Sequence, residues 1–278
     1  MRVTHTAFPK KTPHILSVIQ LSREIRFSMA GDINTGSRNS WAGWPNSNQL
    51  APWLVLRTII GGNPDPVTGF LCNVTLIDDA LRSVVKDSLL NQTAPTWLAE
   101  QFLLVTTTKI AHSWNFDAEL LIVELELSPY LKYSHNSKEP TMVTITQQFE
   151  FSAAHRLCCD SFSDEKNWEV FGKCNNPNGH GHNYVVDVSL KRDIQDEKAN
   201  GQVIALHELE ATVKDRVIDR LDHKHLNQDI DYFSETNPTV ENIAIAIWQW
   251  LEGQFGDAEL TAIRVYETPK TWAEYRGP

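Results

Sequence analysis

Cysteine is scarce in this chain: Cys72, Cys158, Cys159 and Cys174 are the four in 278 residues. So few cannot staple a chain of this size, which excludes a disulfide scaffold, fits a reducing compartment and leaves Cys174 available as a thiol. Long apolar runs are also missing, and none approaches the ~20 residues that span a bilayer. Met1 to Lys11 is mildly basic, but no apolar segment with a small-residue cleavage site follows it, so a cytoplasmic location is expected and no membrane partner. A basic excess is absent as well. The formal charge of -10 excludes non-specific nucleic-acid binding, which depends on a basic face to displace counterions. What is present, 41% hydrophobic and 22% charged residues, is ordinary globular composition, and the length allows one large domain or two of usual size.

The acidic excess is not spread evenly. Residues 1–139 hold 12 basic and 12 acidic side chains, whereas 140–278 hold 13 and 23. The two halves nevertheless repeat each other in order. Arg26-Phe27-Ser28-Met29-Ala30-Gly31 matches Glu150-Phe151-Ser152-Ala153-Ala154-His155. An apolar series at Ile77, Leu81, Val85 and Leu89 returns at Leu209, Val213, Val217 and Leu221, and Asp-Ala-Glu-Leu occurs at 117–120 and 257–260. Three matches in one order predict an internal duplication, with the polar segment Ser134–Pro140 as linker.

In the second half, Thr141 to His155 alternates as a strand that delivers His155 at its end, and Tyr184 to Leu190 resumes an extended pattern. Asp160 to Gly172 reads as a loop or short helix. Apolar spacing predicts an amphipathic helix over Val203–Leu221. Asn237 as N-cap with Pro238 at the first helical position predicts a second, with Ile243, Ile247, Trp250 and Leu251 as its buried stripe. Ala262 to Glu267 closes the unit as a strand. Such an order is an α+β pattern, an antiparallel sheet with helices on one face.

The chemistry-bearing stretch is Cys174, a gap of five residues, then His180-Gly181-His182. Histidines two apart on extended backbone face the same way and neutral imidazole is a common metal ligand, but a stable site needs a third group. The triplet alone reads more readily as a surface loop. Asp222-His223 lies just past a helix end, where a solvated cap is the simpler reading of the pair taken alone.

Taken together, Phe151–His155, Phe171-Gly172-Lys173-Cys174 running on to His182-Asn183-Tyr184, Leu221-Asp222-His223-Lys224, Thr239-Val240-Glu241-Asn242 and Val265-Tyr266-Glu267-Thr268 resemble the 6-pyruvoyl-tetrahydropterin synthase and 6-carboxy-tetrahydropterin synthase family. The resemblance implies a T-fold, a four-stranded antiparallel sheet with two helices on one face, in units that assemble into barrels. It implies Zn2+ held by His155, His180 and His182, Cys174 as base, Asp222 and His223 as a second acid/base pair, and Glu267 and Thr239 as contacts to the pterin ring. The expected reaction is conversion of 7,8-dihydroneopterin triphosphate to 6-pyruvoyl-tetrahydropterin with loss of triphosphate, a carbon–oxygen lyase step. The five-residue gap resembles the 6-pyruvoyl enzymes more than the 6-carboxy synthases, which remain the alternative on the same substrate; a non-catalytic pterin-binding or assembly protein is the alternative of another class. Open zinc coordination, and a thiol made more acidic by a nearby cation, suit such proton transfers.

The first half reads differently. Gly31, Leu50-Ala51-Pro52, Leu90-Asn91 and Leu127 stand where His155, the His-Gly-His triplet, Asp222-His223 and Glu267 would align. Two tandem T-fold domains are therefore expected, a degenerate one over 1–138 without a metal site and a catalytic one over 139–278. Trp41, Trp44 and Trp53 are expected to fill packing space. A homo-oligomer, a trimer or larger with six or more T-folds, is the expected assembly.

Overall fold

The computed structural model describes residues 19–30, 43–90, 98–114 and 117–278, and the side chains of 88–90 are not among them. Gly31, Trp41, Asn91 and the side chain of Leu89 therefore lie outside the described residues, as does that of Leu90.

Nearly every strand joins one sheet in chain order. β1 (Ile19–Ser28) and β2 (Trp53–Gly62) are followed by two helices, α1 (Val74–Leu90) and α2 (Ala99–Ser113), and then by β3 (Glu119–Ser128) and β4 (Leu131–Asn136). β5 (Met142–His155) follows. Then come α3 (Asp164–Phe171), β6 (His180–Asp193), a helix begun by α4 (Leu206–Val213), and the two-residue β7 (Lys224–His225). α6 (Leu226–Asp229), α7 (Val240–Leu251), β8 (Glu259–Thr268) and β9 (Thr271–Tyr275) complete the chain. The sheet order is β1-β2-β3-β4-β5-β6-β8-β9, antiparallel at every step, with β7 parallel to β5 at its end. One face carries the helices, and the antiparallel α+β expectation holds in this form.

Alternation explains the burial. In β5, Val143, Ile145, Phe151, Ala153 and His155 are buried on one parity, and β6 answers with Tyr184, Val186, Val188 and Leu190. At roughly 1.5–3 kcal/mol per fully buried aliphatic or aromatic side chain, these inner rows are the main cohesive force between sheet and helices. The helical stripe over 206–221 is buried at Leu209, Val213, Val217 and Leu221. Its continuity is broken by one π turn, Lys214–Ile218, before a last short helical piece, α5 (Asp219–Leu221).

The second group of strands repeats the pairing of the first, including its irregularities. Ser28 lies opposite Trp53 as Ser152 lies opposite Asn183. The bulge between Ile59 and Ile60 in the β2–β3 pair returns between Ser189 and Leu190 in the β6–β8 pair. The bulge between Glu126 and Ser128 against β4 returns between Tyr266 and Thr268 against β9. Bulges are position-specific features, so two at matching places carry more weight than strand count. This register sets Leu50 and Pro52 at the places of His180 and His182, and Leu127 at that of Glu267.

Four sequence expectations need correction. The segment Ser134–Pro140 is not wholly linker: Ser134, His135 and Asn136 belong to β4, and buried His135 shares a hydrogen bond through Nδ1 with the Met142 carbonyl at 2.8 Å. Its polar residues conceal a strand whose inward position is satisfied by that bond. The helix after Asn237-Pro238 starts later than expected, because Thr239 is its N-cap, with its hydroxyl accepting from the Asn242 N–H at 3.4 Å. Asn237 turns away to accept from the Cys158 N–H at 3.0 Å. Within α7, Trp248 is buried and Trp250 only partly so. Finally, Trp44 is buried, as expected, but Trp53 is 46% exposed and fills no core.

Candidate active site

The sheet brings His155, at the end of β5, opposite His180, at the start of β6, and Ala153 opposite His182. Antiparallel pairing with two-residue alternation thus turns three histidines from two strands toward the helix face. Glu267, near the end of β8, enters the same space. The ligand atoms of His155, His180, His182 and Glu267 all lie within 4.8 Å of one another. His155 Nε2 is 3.1 Å from His180 Nε2, and Glu267 Oε1 is 3.5 Å from His155 Nε2 and 3.3 Å from His182 Nε2.

His155 is held most firmly. It is fully buried, and its Nδ1 lies 2.8 Å from the Pro238 carbonyl, an acceptor, so Nδ1 carries the proton and Nε2 presents its lone pair to the cluster. Burial depresses its pKa to about 4, the neighbouring imidazoles adding to the effect, and burial likewise lowers that of His180. Neutral imidazoles are the form that binds a metal. His180 Nδ1 and His182 Nε2 are buried without a hydrogen-bond partner. Three imidazole nitrogens and a carboxylate oxygen, with buried donor atoms left unsatisfied, suit a cation of the zinc type. This is a possible metal-binding group.

Cys174 sits in the turn Gly172–Asn175, and its carbonyl accepts from the Leu157 N–H at 2.9 Å, which ties the turn to the chain just after His155. It is half-buried and close enough to Tyr184 to influence the phenol electrostatically. Asp222 and His223 lie along the edge of β5 that β4 leaves uncovered. The Ser152 N–H donates to Asp222 Oδ1 at 2.8 Å, and the His223 N–H donates to the Ser152 carbonyl at 2.6 Å. Asp222 Oδ2 then meets His223 Nδ1 at 2.8 Å. The Ser152 amide, followed by His223, holds the Asp222 carboxyl below its ordinary pKa. The His223 ring is 83% exposed and lines an open cleft that His182 also reaches.

Among the expected site residues, then, the three histidines and Glu267 share one cluster, Asp222-His223 opens on an adjoining cleft, and Thr239 caps α7 one residue after the carbonyl that orients His155. Sequence reasoning missed Tyr184 and His225. Tyr184 is fully buried, with its hydroxyl 3.4 Å from His155 Nδ1; its parity with His180 and His182 was the available signal. His225 packs against Gly179, where an added Cβ would fall 2.7 Å from Nε2, so the loop entering His180 needs glycine there. Only the chain crossing back along β5 brings it in, and no local pattern announces that. Arg156 is engaged with the Asn175 side chain and carbonyl.

The fold is thus antiparallel α+β, and a histidine-carboxylate cluster that could hold a metal ion lies where adjacent strands end. A family model described as 6-pyruvoyl tetrahydropterin synthase matches residues 144–278. The chain is 41% identical over 143 residues to the 6-pyruvoyl tetrahydrobiopterin synthase of Drosophila melanogaster, covering 83% of that protein and 51% of this one. It is 41% identical over 133 residues to the Homo sapiens protein of the same name, covering 90% of it and 48% of this chain. A solved structure of Caenorhabditis elegans 6-pyruvoyl tetrahydropterin synthase is similar at 38% identity and TM-score 0.46, over 49% of this chain and 96% of that one. The chain belongs to the 6-pyruvoyl tetrahydropterin synthase family. Residues 1–143 fall outside the family-model match.

Proposed function

We propose that the chain is a zinc-dependent 6-pyruvoyl-tetrahydropterin synthase, built as two tandem T-folds over 1–138 and 139–278, of which the second is catalytic. The observation that carries the activity is the four-residue cluster of His155, His180, His182 and Glu267 in the half that matches the family. The repeated bulges support the tandem reading.

His155, His180 and His182 would hold Zn2+, which when bound polarises the side-chain oxygens of 7,8-dihydroneopterin triphosphate and makes the adjoining C–H more acidic. Cys174 removes that proton as thiolate. Asp222 fixes the His223 tautomer through their hydrogen bond and leaves Nε2 to carry the second proton within the cleft. Glu267 can accept paired hydrogen bonds from the amino group and a ring N–H of the pterin, fixing its orientation. Thr239 adds a contact at the ring through whatever capacity its capping bond leaves. Triphosphate departs as the side chain passes to the diketone. The first half supplies strands and packing, and the protein works as a homo-oligomer.

Incubation of purified protein with dihydroneopterin triphosphate, with and without a chelator, followed by mass identification of the pterin, tests this. Chelator-sensitive 6-pyruvoyl product is expected. A 6-carboxy product, or no turnover in metal-replete protein, would refute it.

A further inference from the structure

Among the described residues, Glu100 in the first turn of α2 is the only buried carboxyl, at 2% exposure. Its Oε1 accepts from the Val203 N–H at 3.4 Å, a long bond that crosses from the first half of the chain to the second, and Val203 is fully buried. The next residue of α2 reaches the same segment. A Cβ on Gly201, where φ is +79°, would fall 2.3 Å from Gln101 Nε2, so the backbone there runs directly against that amide. α7 starts in the same manner, with Glu241 two positions past its N-cap as Glu100 is two past Leu98, but Glu241 is exposed. A carboxylate suits the start of a helix. Burial of that carboxylate beneath a second segment is particular to Glu100.

No cation compensates it. What acts on its ionisation is burial first, then its own amide and that of Val203. From β4, the Tyr133 phenol is 4% exposed and near enough for a charge on Glu100 to hinder its ionisation further, and His135 is committed to the Met142 carbonyl. From α1, Asp78 pairs with Arg23, Arg82 lies over the Trp44 ring, and Asp79, Lys86 and Asp87 are exposed. β3 turns Glu124 and Glu126 to Arg57, on the other face of the sheet, and Asp196, Glu197 and Lys198, which precede Val203, are exposed. A carboxylate removed from water without a partner charge favours its neutral form. Burial accordingly raises the folded pKa of Glu100 above the ordinary carboxylate value, against the pull of the two backbone N–H groups.

We infer that Glu100 is a proton-operated latch between the halves: with the carboxyl protonated, α2 is closed on the segment 199–205, and ionisation releases that segment by local opening. The folded value is the higher one, so the closed contact keeps its proton after the open form has lost its own. The stabilisation is therefore complete below the ordinary carboxylate range and is lost as pH rises through the folded value. The segment leads at Ala205 into the helix that ends at Leu221, immediately before Asp222-His223. The latch thus holds the far end of the element that delivers that pair.

Hydrogen–deuterium exchange of the full chain, followed at the Val203 amide and corrected for the intrinsic pH dependence of exchange, reads the latch without reference to turnover. Protection at Val203 should fall as pH rises from 5 to 9, by at most about tenfold per pH unit, the limit set by release of one proton. Glu100→Gln, which keeps the shape without the charge, should remove that fall. Its melting temperature should also gain on that of the wild type by more at pH 9 than at pH 5. Wild-type protection that does not change with pH, or a Glu100→Gln profile that falls as the wild type's does, overturns the latch. If the variant does not fold, the wild-type exchange profile decides alone.

Discussion

The two halves keep the same strand register and the same pair of bulges, yet they differ in nearly all the chemistry at the strand ends. His180, His182 and Glu267 in one correspond to Leu50, Pro52 and Leu127 in the other. What is retained is what pairing and packing require: inward apolar rows, such as Leu54, Leu56 and Ile60 in β2 against Tyr184, Val186 and Leu190 in β6. In the first half Leu50 and Pro52 fall just past the end of the β1–β2 ladder, whereas their counterparts His180 and His182 are paired with His155 and Ala153 inside the β5–β6 ladder. The same sheet pairing can therefore carry different chemistry at its strand ends. The difference in charge between the halves, carried on the surface, leaves the inner rows untouched.

The comparison can be broken most directly at the metal. One ion per folded chain is expected by elemental analysis, falling to none in His182→Ala; two per chain would mean that the first half retains a site of its own. Next in size, Cys174→Ala should lower turnover about 100- to 10,000-fold, the usual worth of a general base, while metal content stays at one. Turnover that survives unchanged would remove Cys174 from the chemistry. Leu56→Ala, in the half outside the family match, should cost about 2–5 kcal/mol of stability by opening a cavity at a fully buried position. Denaturant unfolding measures it, and metal per folded chain should not change. A loss of metal on that substitution would show that the first half shapes the site.

The smallest effect concerns His155 in metal-free protein. Its folded pKa, about 4, lies below the unfolded value near 6.5, so between those values the unfolded chain binds the additional proton. Stability therefore falls as pH is lowered through that window, by about 3 kcal/mol at most. Melting of chelated protein from pH 7 to 4.5 should show the decline, and His155→Gln should flatten it. A flat wild-type profile would mean that the imidazole is not held neutral.

Where alternation or helical spacing was long, the sequence was readable: β5 with His155 at its end, the stripe over 206–221, and β8 with Glu267. Strand parity showed in the sequence that His180 and His182 face the same way, and the family resemblance added His155 as their expected partner. What stayed hidden was set by contacts distant in sequence. β7 is two residues long and exists only because the chain crosses back along β5, and five-residue β9 offers too few alternations to register. Asn237 had the residue type of a cap but is drawn to the Cys158 amide, a partner 79 positions away, so Thr239 took its place. The approach of Glu267 to within 3.3 Å of His182 Nε2 depends on how β8 ends beside β6. Spacing alone could not give that distance.

The join between β4 and β5 spans only residues 137–141. Tethering at this length makes each half the other's neighbour at a millimolar effective concentration, so their pairing is insensitive to dilution that would separate independent units. It also fixes a ratio. Every half that carries the histidine cluster is synthesised with one partner that has Leu50, Pro52 and Leu127 at the corresponding places, and no change in expression level can alter that proportion.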